Sequence, residues 1–121
     1  MKIRLHEIEL GTKNPNKSQA FFSTVLGLET FIEQKALKVF KSGVAGVDFN
    51  VSTHLPPEKT VISFLTDDLQ AVIGQLHANA VVFSGPEKSH LGMIRIEFTD
   101  PDNHLIRVNQ ATKESPDWLR V

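Results

Sequence analysis

The chain has 121 residues, of which 40% are hydrophobic and 22% charged, and 13 basic against 14 acidic side chains give a formal net charge of -1. This length fits one compact domain, and the balanced charge excludes the basic field that gathers nucleic acid or an anionic membrane. The chain has no cysteine, which excludes disulfides, thiolate catalysis and thiolate metal sites. No segment has the apolar run of a signal peptide or a membrane span, so we expect a cytoplasmic protein.

The first half of the chain predicts a strand, a helix and three further strands. Residues 3–12 alternate between apolar and polar side chains, which indicates a strand. Asn14 is a suitable N-cap, and Pro15 suits the first helical position because its φ is fixed and it lacks an N–H. Gly27 is placed for a left-handed helix end. The three predicted strands that follow cover Leu28–Glu33, Ala36–Lys41 and Val44–Ser52.

The same order of elements begins again after a Pro-Pro break at residues 56–57. Thr60–Thr66 predicts a strand, and Asp67 or Asp68 is expected to cap a helix with apolar residues at helical spacing. Asn79 is the expected helix stop. The remaining predicted elements are a short strand, a polar loop and two longer strands, over Val81–Phe83, Ser84–His90, Leu91–Phe98 and Leu105–Asn109.

The last two strands form a predicted hairpin. Asp100-Pro101-Asp102-Asn103 is strong turn chemistry, because proline presets φ and asparagine tolerates the left-handed region. Apolar residues alternate on both sides of this turn, so the polar faces of the two strands point the same way. This common surface is expected to carry Arg95, Glu97, Arg107 and Asn109.

The two halves therefore repeat a strand-helix-three-strand unit, which predicts an α+β fold of two tandem βαβββ modules. Neither half has enough apolar surface to be stable alone, so residues 1–121 are expected to form a single domain. Module one covers residues 1–54 and module two covers 58–110. In the C-terminal tail, 111–121, Trp118 and Leu119 are the apolar residues expected to dock.

Three segments resemble the vicinal oxygen chelate superfamily, which includes glyoxalase I, bleomycin-resistance proteins, fosfomycin-resistance enzymes and extradiol dioxygenases. They are KSQAFFSTVLGLE (Lys17–Glu29), ISFLTDDLQAVIGQL (Ile62–Leu76) and FTDPDNHLIRV (Phe98–Val108). The resemblance implies that the two modules form a cupped mixed sheet with the helices outside and a ligand pocket within. It also implies a homodimer.

In the metal-dependent members, four positions facing the cup supply ligands that are usually His, Gln or Glu. The resemblance places these positions at Glu7, at Asp48 or Asn50, at Val61 and at Arg107. Valine cannot ligate a metal, and arginine brings a positive charge where the cation would lie. We therefore expect neither the usual metal set nor a cofactor. The alternative is a hard divalent cation held by Glu7 and Asp48, with Glu97 as a further candidate.

Other catalytic signals are weak. The chain has no G-x-S-x-G motif, and Ser63 has no base placed by the sequence. The five histidines show no i, i+4 pair of the kind found in helical metal motifs, and surface or strand-edge roles explain them. The catalytic residues stay unknown.

Strand parity assigns nine polar side chains to the concave side of the sheet. They are Glu7, Glu9, Asp48, Asn50, Ser63, Arg95, Glu97, Arg107 and Asn109. The first eight are the predicted ligand-binding residues. Arg95 or Arg107 would bind a carboxylate or enolate-like oxygen, and Glu7 or Glu97 would act as base or acceptor. The competing interpretation is that Glu–Arg pairs fill a polar, solvent-filled cup that binds no ligand.

The leading hypothesis is a small-molecule-binding protein of this superfamily, which lacks the usual metal set and binds a small polar or acidic ligand. The alternative is a metal-dependent lyase, isomerase or dioxygenase with a carboxylate site at Glu7 and Asp48, so whether the chain is an enzyme stays open. Drug sequestration ranks third, because parity places few aromatic rings in the cup.

Overall fold

The computed structural model describes all 121 residues. Its contacts divide the chain into a first unit, His6–Val61, and a second unit, Met1–Leu5 with Ile62–Val121. The strands are β1 (Ile3–Gly11), β2 (Thr30–Glu33), β3 (Leu37–Lys41), β4 (Asp48–Ser52), β5 (Thr60–Thr66), β6 (Ser84–Lys88), β7 (Ile94–Thr99) and β8 (Leu105–Gln110). The helices are α1 (Pro15–Val25) and α2 (Leu69–Ala78). This order confirms the α+β class and the repeated βαβββ pattern.

Both helices begin where the sequence predicts. The Asn14 side-chain oxygen accepts the Lys17 N–H at 3.1 Å, and Pro15 is the first residue of α1. The Asp68 carboxylate accepts the Ala71 N–H at 3.0 Å at the start of α2. Such caps satisfy N–H groups that have no partner within the helix. Neither helix has the length and apolar character that crossing a membrane requires.

In the first unit the strands are ordered β2-β3-β4-β1, with β1 parallel to β4 and the other pairs antiparallel. One sheet face packs against α1 through aromatic rings. The Phe22 ring centroid lies 5.6 Å from that of Phe40 and 5.1 Å from that of Phe49. Burying a large side chain such as Phe40 contributes about 1.5–3 kcal/mol. This apolar face leaves the alternate residues of β1 and β4 for the opposite face.

In the second unit the strands are ordered β5-β8-β7-β6. Three apolar residues of α2, at helical spacing, pack on Ile96 and Val108 from β7 and β8. The α2 residues in this core are Leu69, Val72 and Leu76. The helix therefore covers one face of the sheet, and the residues on either side of Ile96 and Val108 project from the other.

Strand β6 corrects the sequence prediction. The sequence predicts a strand at Val81–Phe83 and a loop at Ser84–His90, whereas in the structure Ser84–Lys88 is the strand and pairs antiparallel with β7. Every residue of β6 is exposed, so it has no apolar alternation for the sequence to show. Its backbone pairing needs Gly85, because φ is +98° there and a Cβ would lie 2.6 Å from the Arg95 carbonyl oxygen.

The first-unit strands β2 and β4 are shorter than predicted. β2 begins at Thr30 rather than at residue 28, and β4 begins at Asp48 rather than at residue 44. Gly27 and Gly46 precede them with φ of +68° and +77°, conformations that lie outside a strand. These left-handed glycines therefore end the preceding helix or turn, and each strand begins only after its glycine.

The β7–β8 turn has the predicted chemistry. Asn103 adopts φ +70°, in the left-handed region. The Asp100 carboxylate accepts the backbone N–H groups of Asp102 at 3.0 Å and His104 at 2.8 Å. These bonds fix the turn and set the pairing of β7 with β8.

The C-terminal tail packs on the second unit, and Leu119 is its most deeply buried apolar residue. Leu119 is fully buried in a cluster with Leu65 and Met93, which lie on the sheet face opposite to α2. Trp118, in contrast, is 63% exposed, so the expectation that it docks is wrong. The short 3-10 turn Asp117–Leu119 directs only the leucine inward.

Candidate functional site

The first unit presents buried carboxylates on the face opposite to α1, which we call the acidic face. A Glu7 carboxylate oxygen accepts the Asn50 side-chain N–H at 2.9 Å, and a Glu9 oxygen accepts the Ser52 hydroxyl at 2.9 Å. All four residues are buried. Glu7 lies opposite Asp48 in the β1–β4 pairing. The structure thus brings together the four predicted site residues of this unit, and adds Ser52.

The acidic face is rich in hydrogen-bond acceptors. The Asn50 side-chain oxygen is buried without a hydrogen-bond partner and lies on the same face as Glu7 and Glu9. Acceptors of this kind suit a donor group or a hard cation. No group of three or more His, Asp or Glu side chains in the structure is arranged to hold a metal ion. Two of the positions compared with metal ligands are a buried valine, Val61, and Arg107.

The second unit presents ion pairs on the face opposite to α2, which we call the arginine face. Arg107 donates through Nε and Nη2 to one Glu97 oxygen at 3.1 and 3.0 Å. Arg95 donates through Nε and Nη2 to one Glu87 oxygen at 3.3 and 3.2 Å. Arg95 Nη2 also lies 3.8 Å from the second Glu97 oxygen. Two guanidinium groups therefore face two carboxylates, and their formal charges cancel.

Two uncharged polar side chains complete the arginine face. Asn109 lies directly opposite Arg95 in the β7–β8 pairing. Ser63 lies on β5, the neighbour of β8 in the sheet. Both residues are fully buried, and neither the Asn109 amide atoms nor the Ser63 hydroxyl has a hydrogen-bond partner. Buried polar atoms without partners are uncommon in folded proteins, so these three atoms need a physical explanation.

The sequence named most of this face but not all of it. Strand alternation groups Arg95, Glu97 and Arg107 with Asn109, as the structure does, but the predicted ligand-binding set does not include Asn109. It does not include Glu87 either, because the sequence predicts a loop there. Had Ser84–Lys88 been recognised as a strand beside β7, the pairing of Glu87 with Arg95 would have followed. The arginines consequently have more carboxylate partners than the sequence suggested.

The clearest electrostatic shift lies outside both faces, at the β7–β8 turn. The Asp100 carboxylate lies 2.8 Å from His104 Nδ1. This hydrogen bond raises the pKa of His104 above its usual 6.5 and lowers the pKa of Asp100 below its usual 3.8. The pair is exposed and is engaged in holding the turn, which agrees with a structural role for this histidine.

Comparison with known proteins supports the fold. No protein-family model matches the chain, and no curated protein matches it significantly. Among solved structures, a glyoxalase/bleomycin resistance protein/dioxygenase superfamily member from Vibrio splendidus is similar, with TM-score 0.65, 20% identity, and coverage of 90% of this chain and 99% of that one. The methylmalonyl-CoA epimerase from Mycobacterium tuberculosis has TM-score 0.64 and 10% identity over 91% of this chain and 89% of its own.

A third similar structure is described as an NAD-dependent benzaldehyde dehydrogenase from Legionella pneumophila. It has TM-score 0.68 and 16% identity, and the match covers 88% of this chain and 98% of that one. At these identities the likeness concerns architecture, and the activities of the three proteins remain their own. The resemblance stated from the sequence is confirmed at that level: this chain has the fold of the vicinal oxygen chelate superfamily.

Proposed function

We propose that this chain binds a small polar or acidic molecule at the arginine face and does so without the His/Glu divalent-metal set. The observation that carries the proposal is the pair of fully buried polar side chains, Asn109 and Ser63, whose three polar atoms have no partner. Leaving such atoms unpaired costs about 1–3 kcal/mol each. A bound molecule that hydrogen-bonds to them recovers this free energy, which would contribute to its affinity.

The ion pairs beside these residues supply the orientation that a binding site needs. Arg107 and Glu97 are 13% and 19% exposed, so they are largely desolvated but still reachable from solvent. A small number of placed polar groups, including a charged residue, fixes the orientation of a ligand in its site.

The competing function is a metal-dependent lyase, isomerase or dioxygenase with a carboxylate site at Glu7 and Asp48. In its favour, these two residues are paired opposite each other in β1 and β4. Against it, Glu7 already accepts a hydrogen bond from Asn50, and no third acidic or histidine side chain completes a cluster with them. We therefore rank it second.

Two measurements test the proposal. A library of small acids, amides and alcohols is screened by protein-observed NMR, where we expect ligands to shift the resonances of β5, β7 and β8. Asn109→Leu should abolish those shifts, while Phe21→Ala, at an exposed position of α1, should preserve them. Ligands that bind Asn109→Leu as well as the unmodified chain would contradict the proposal.

Elemental analysis of the purified protein addresses the metal alternative. We expect less than stoichiometric metal, and the same content in Glu7→Gln. Stoichiometric Zn, Ni, Mn or Fe that is lost in Glu7→Gln would favour the enzyme over the binding protein.

The homodimer stays a prediction. Exposed apolar side chains on α1 and β2 of the first unit give it a candidate surface, and these are Phe21, Val25, Phe31 and Ile32. Sedimentation velocity on the purified protein measures the state directly. A monomer at all accessible concentrations would contradict this prediction.

A further inference from the structure

The charges of the arginine face are already balanced within the second unit. Arg107 is held by two hydrogen bonds to Glu97, and Arg95 by two to Glu87. A carboxylate ligand would have to displace one of these glutamates and would leave it partly desolvated. It would therefore exchange one ion pair for another and gain little net electrostatic free energy.

The unpartnered groups are neutral, and their chemistry is specific. The Asn109 amide offers one acceptor and a donor side by side, both buried and both without partners. This holds for either assignment of its oxygen and nitrogen, because the exchange only swaps their places. The complement of such a group carries an adjacent acceptor and donor of its own. A carboxylate has acceptors only, so it would place oxygen lone pairs against the Asn109 oxygen.

Building on the proposed function, we propose that the ligand of the arginine face presents a neutral amide-type edge, as a carboxamide, lactam or ureide does. Asn109 pairs with that edge through two hydrogen bonds. The Ser63 hydroxyl, on the strand beside β8, supplies a third polar contact as donor or acceptor. The two arginines lie beside the ligand and keep their ion pairs with Glu87 and Glu97, so they do not bind a ligand charge.

Two partly exposed arginines lie beside Asn109. Arg95 lies opposite Asn109 across the ladder, and Arg107 lies two residues earlier on the same face of β8. Their side chains are 27% and 13% exposed, so both guanidinium groups are reachable from solvent. Because Asn109 itself is fully buried, a ligand reaches its amide only when a covering side chain moves.

The experiment compares matched amides and carboxylates. Propionamide with propionate, and benzamide with benzoate, are titrated at neutral pH into 15N-labelled protein, with 2-pyrrolidinone as a lactam. We expect each amide to bind at least about tenfold more tightly than its carboxylate, since one unsatisfied hydrogen bond is worth about that factor. We also expect the amides to shift the Asn109 side-chain NH2 signals, which are assigned through their correlations to the Asn109 backbone.

Two variants test which groups bind the ligand. Ser63→Ala should weaken amide binding. Glu97→Gln should raise the affinity for carboxylates, because it removes the charge that balances Arg107. Where Asn109→Leu does not fold, the NH2 shifts in the unmodified chain and the Ser63→Ala titration carry the test. Carboxylates that bind as tightly as amides would overturn this inference while leaving the proposed function intact. Failure of every amide to shift the Asn109 signals would overturn it as well, and the wider screen would then decide the proposed function.

Discussion

Replacing Ser63 by alanine should stabilise the protein in the absence of ligand. The Ser63 hydroxyl is fully buried in β5 and has no hydrogen-bond partner, so folding removes it from water without compensation. Alanine keeps the Cβ and deletes only the hydroxyl, which leaves the packing of the strand nearly unchanged. We expect the free energy of unfolding to rise by about 1–2 kcal/mol, the lower part of the range for an unsatisfied buried group.

Ser52→Ala is the matched control, because Ser52 is also a fully buried strand serine. Its hydroxyl donates to the Glu9 carboxylate at 2.9 Å and accepts the His54 N–H at 3.2 Å. Removing it leaves the Glu9 carboxylate buried without that donor. We expect a loss of about 1.5–3 kcal/mol, the range for hydrogen bonds to charged groups. The same substitution should thus have opposite signs at the two serines.

Urea unfolding at constant pH, followed by circular dichroism, measures both changes. We expect the midpoint to rise for Ser63→Ala and to fall for Ser52→Ala with an unchanged m-value. For a chain of this size an increase of about 1–2 kcal/mol corresponds to roughly 4–8 °C in Tm. A destabilisation by Ser63→Ala similar to that by Ser52→Ala would show that the Ser63 hydroxyl has a partner, such as a tightly bound water, and would refute the reasoning.

Three further predictions concern the two units. Gly11→Ala should lower the free energy of unfolding of the first unit by more than about 2 kcal/mol in urea unfolding. The reason is that the new Cβ would lie 2.6 Å from the Pro56 carbonyl carbon, which is closer than two such atoms can pack. An unchanged midpoint would contradict this prediction. Leu119→Ala should cost about 2–5 kcal/mol by the same measurement, and a smaller loss would mean that the tail is not part of the core. By NMR titration, the His104 pKa should lie above 6.5 and should fall in Asp100→Asn. The turn contact then contributes fully below the unfolded histidine pKa and is lost as pH rises through the folded value, while acid removes it through the lowered pKa of Asp100.

Local patterns predicted most of the fold. The caps at Asn14 and Asp68 and the left-handed Asn103 depend on neighbouring residues only, and all three are present in the structure. Strand β6 depends on its pairing with β7, and its exposed polar residues carry no periodic signal. The exposure of Trp118 is similarly invisible in sequence, since apolar residues in a short tail show no repeat that would indicate which of them faces the domain. Non-local contacts therefore account for these misses.

In the candidate site, too, the sequence predicted which face a residue occupies but not which residues it contacts. Parity identified which residues share the arginine face, because alternation is a property of a single strand. It could not show that Glu87 and Glu97 neutralise both arginines, since the first of these glutamates lies on a strand that the sequence did not reveal. The sequence therefore directed the functional hypothesis to the charged residues. Once their partners are known, the groups with unused hydrogen-bonding capacity are Asn109 and Ser63, and the ligand should be sought among molecules complementary to them.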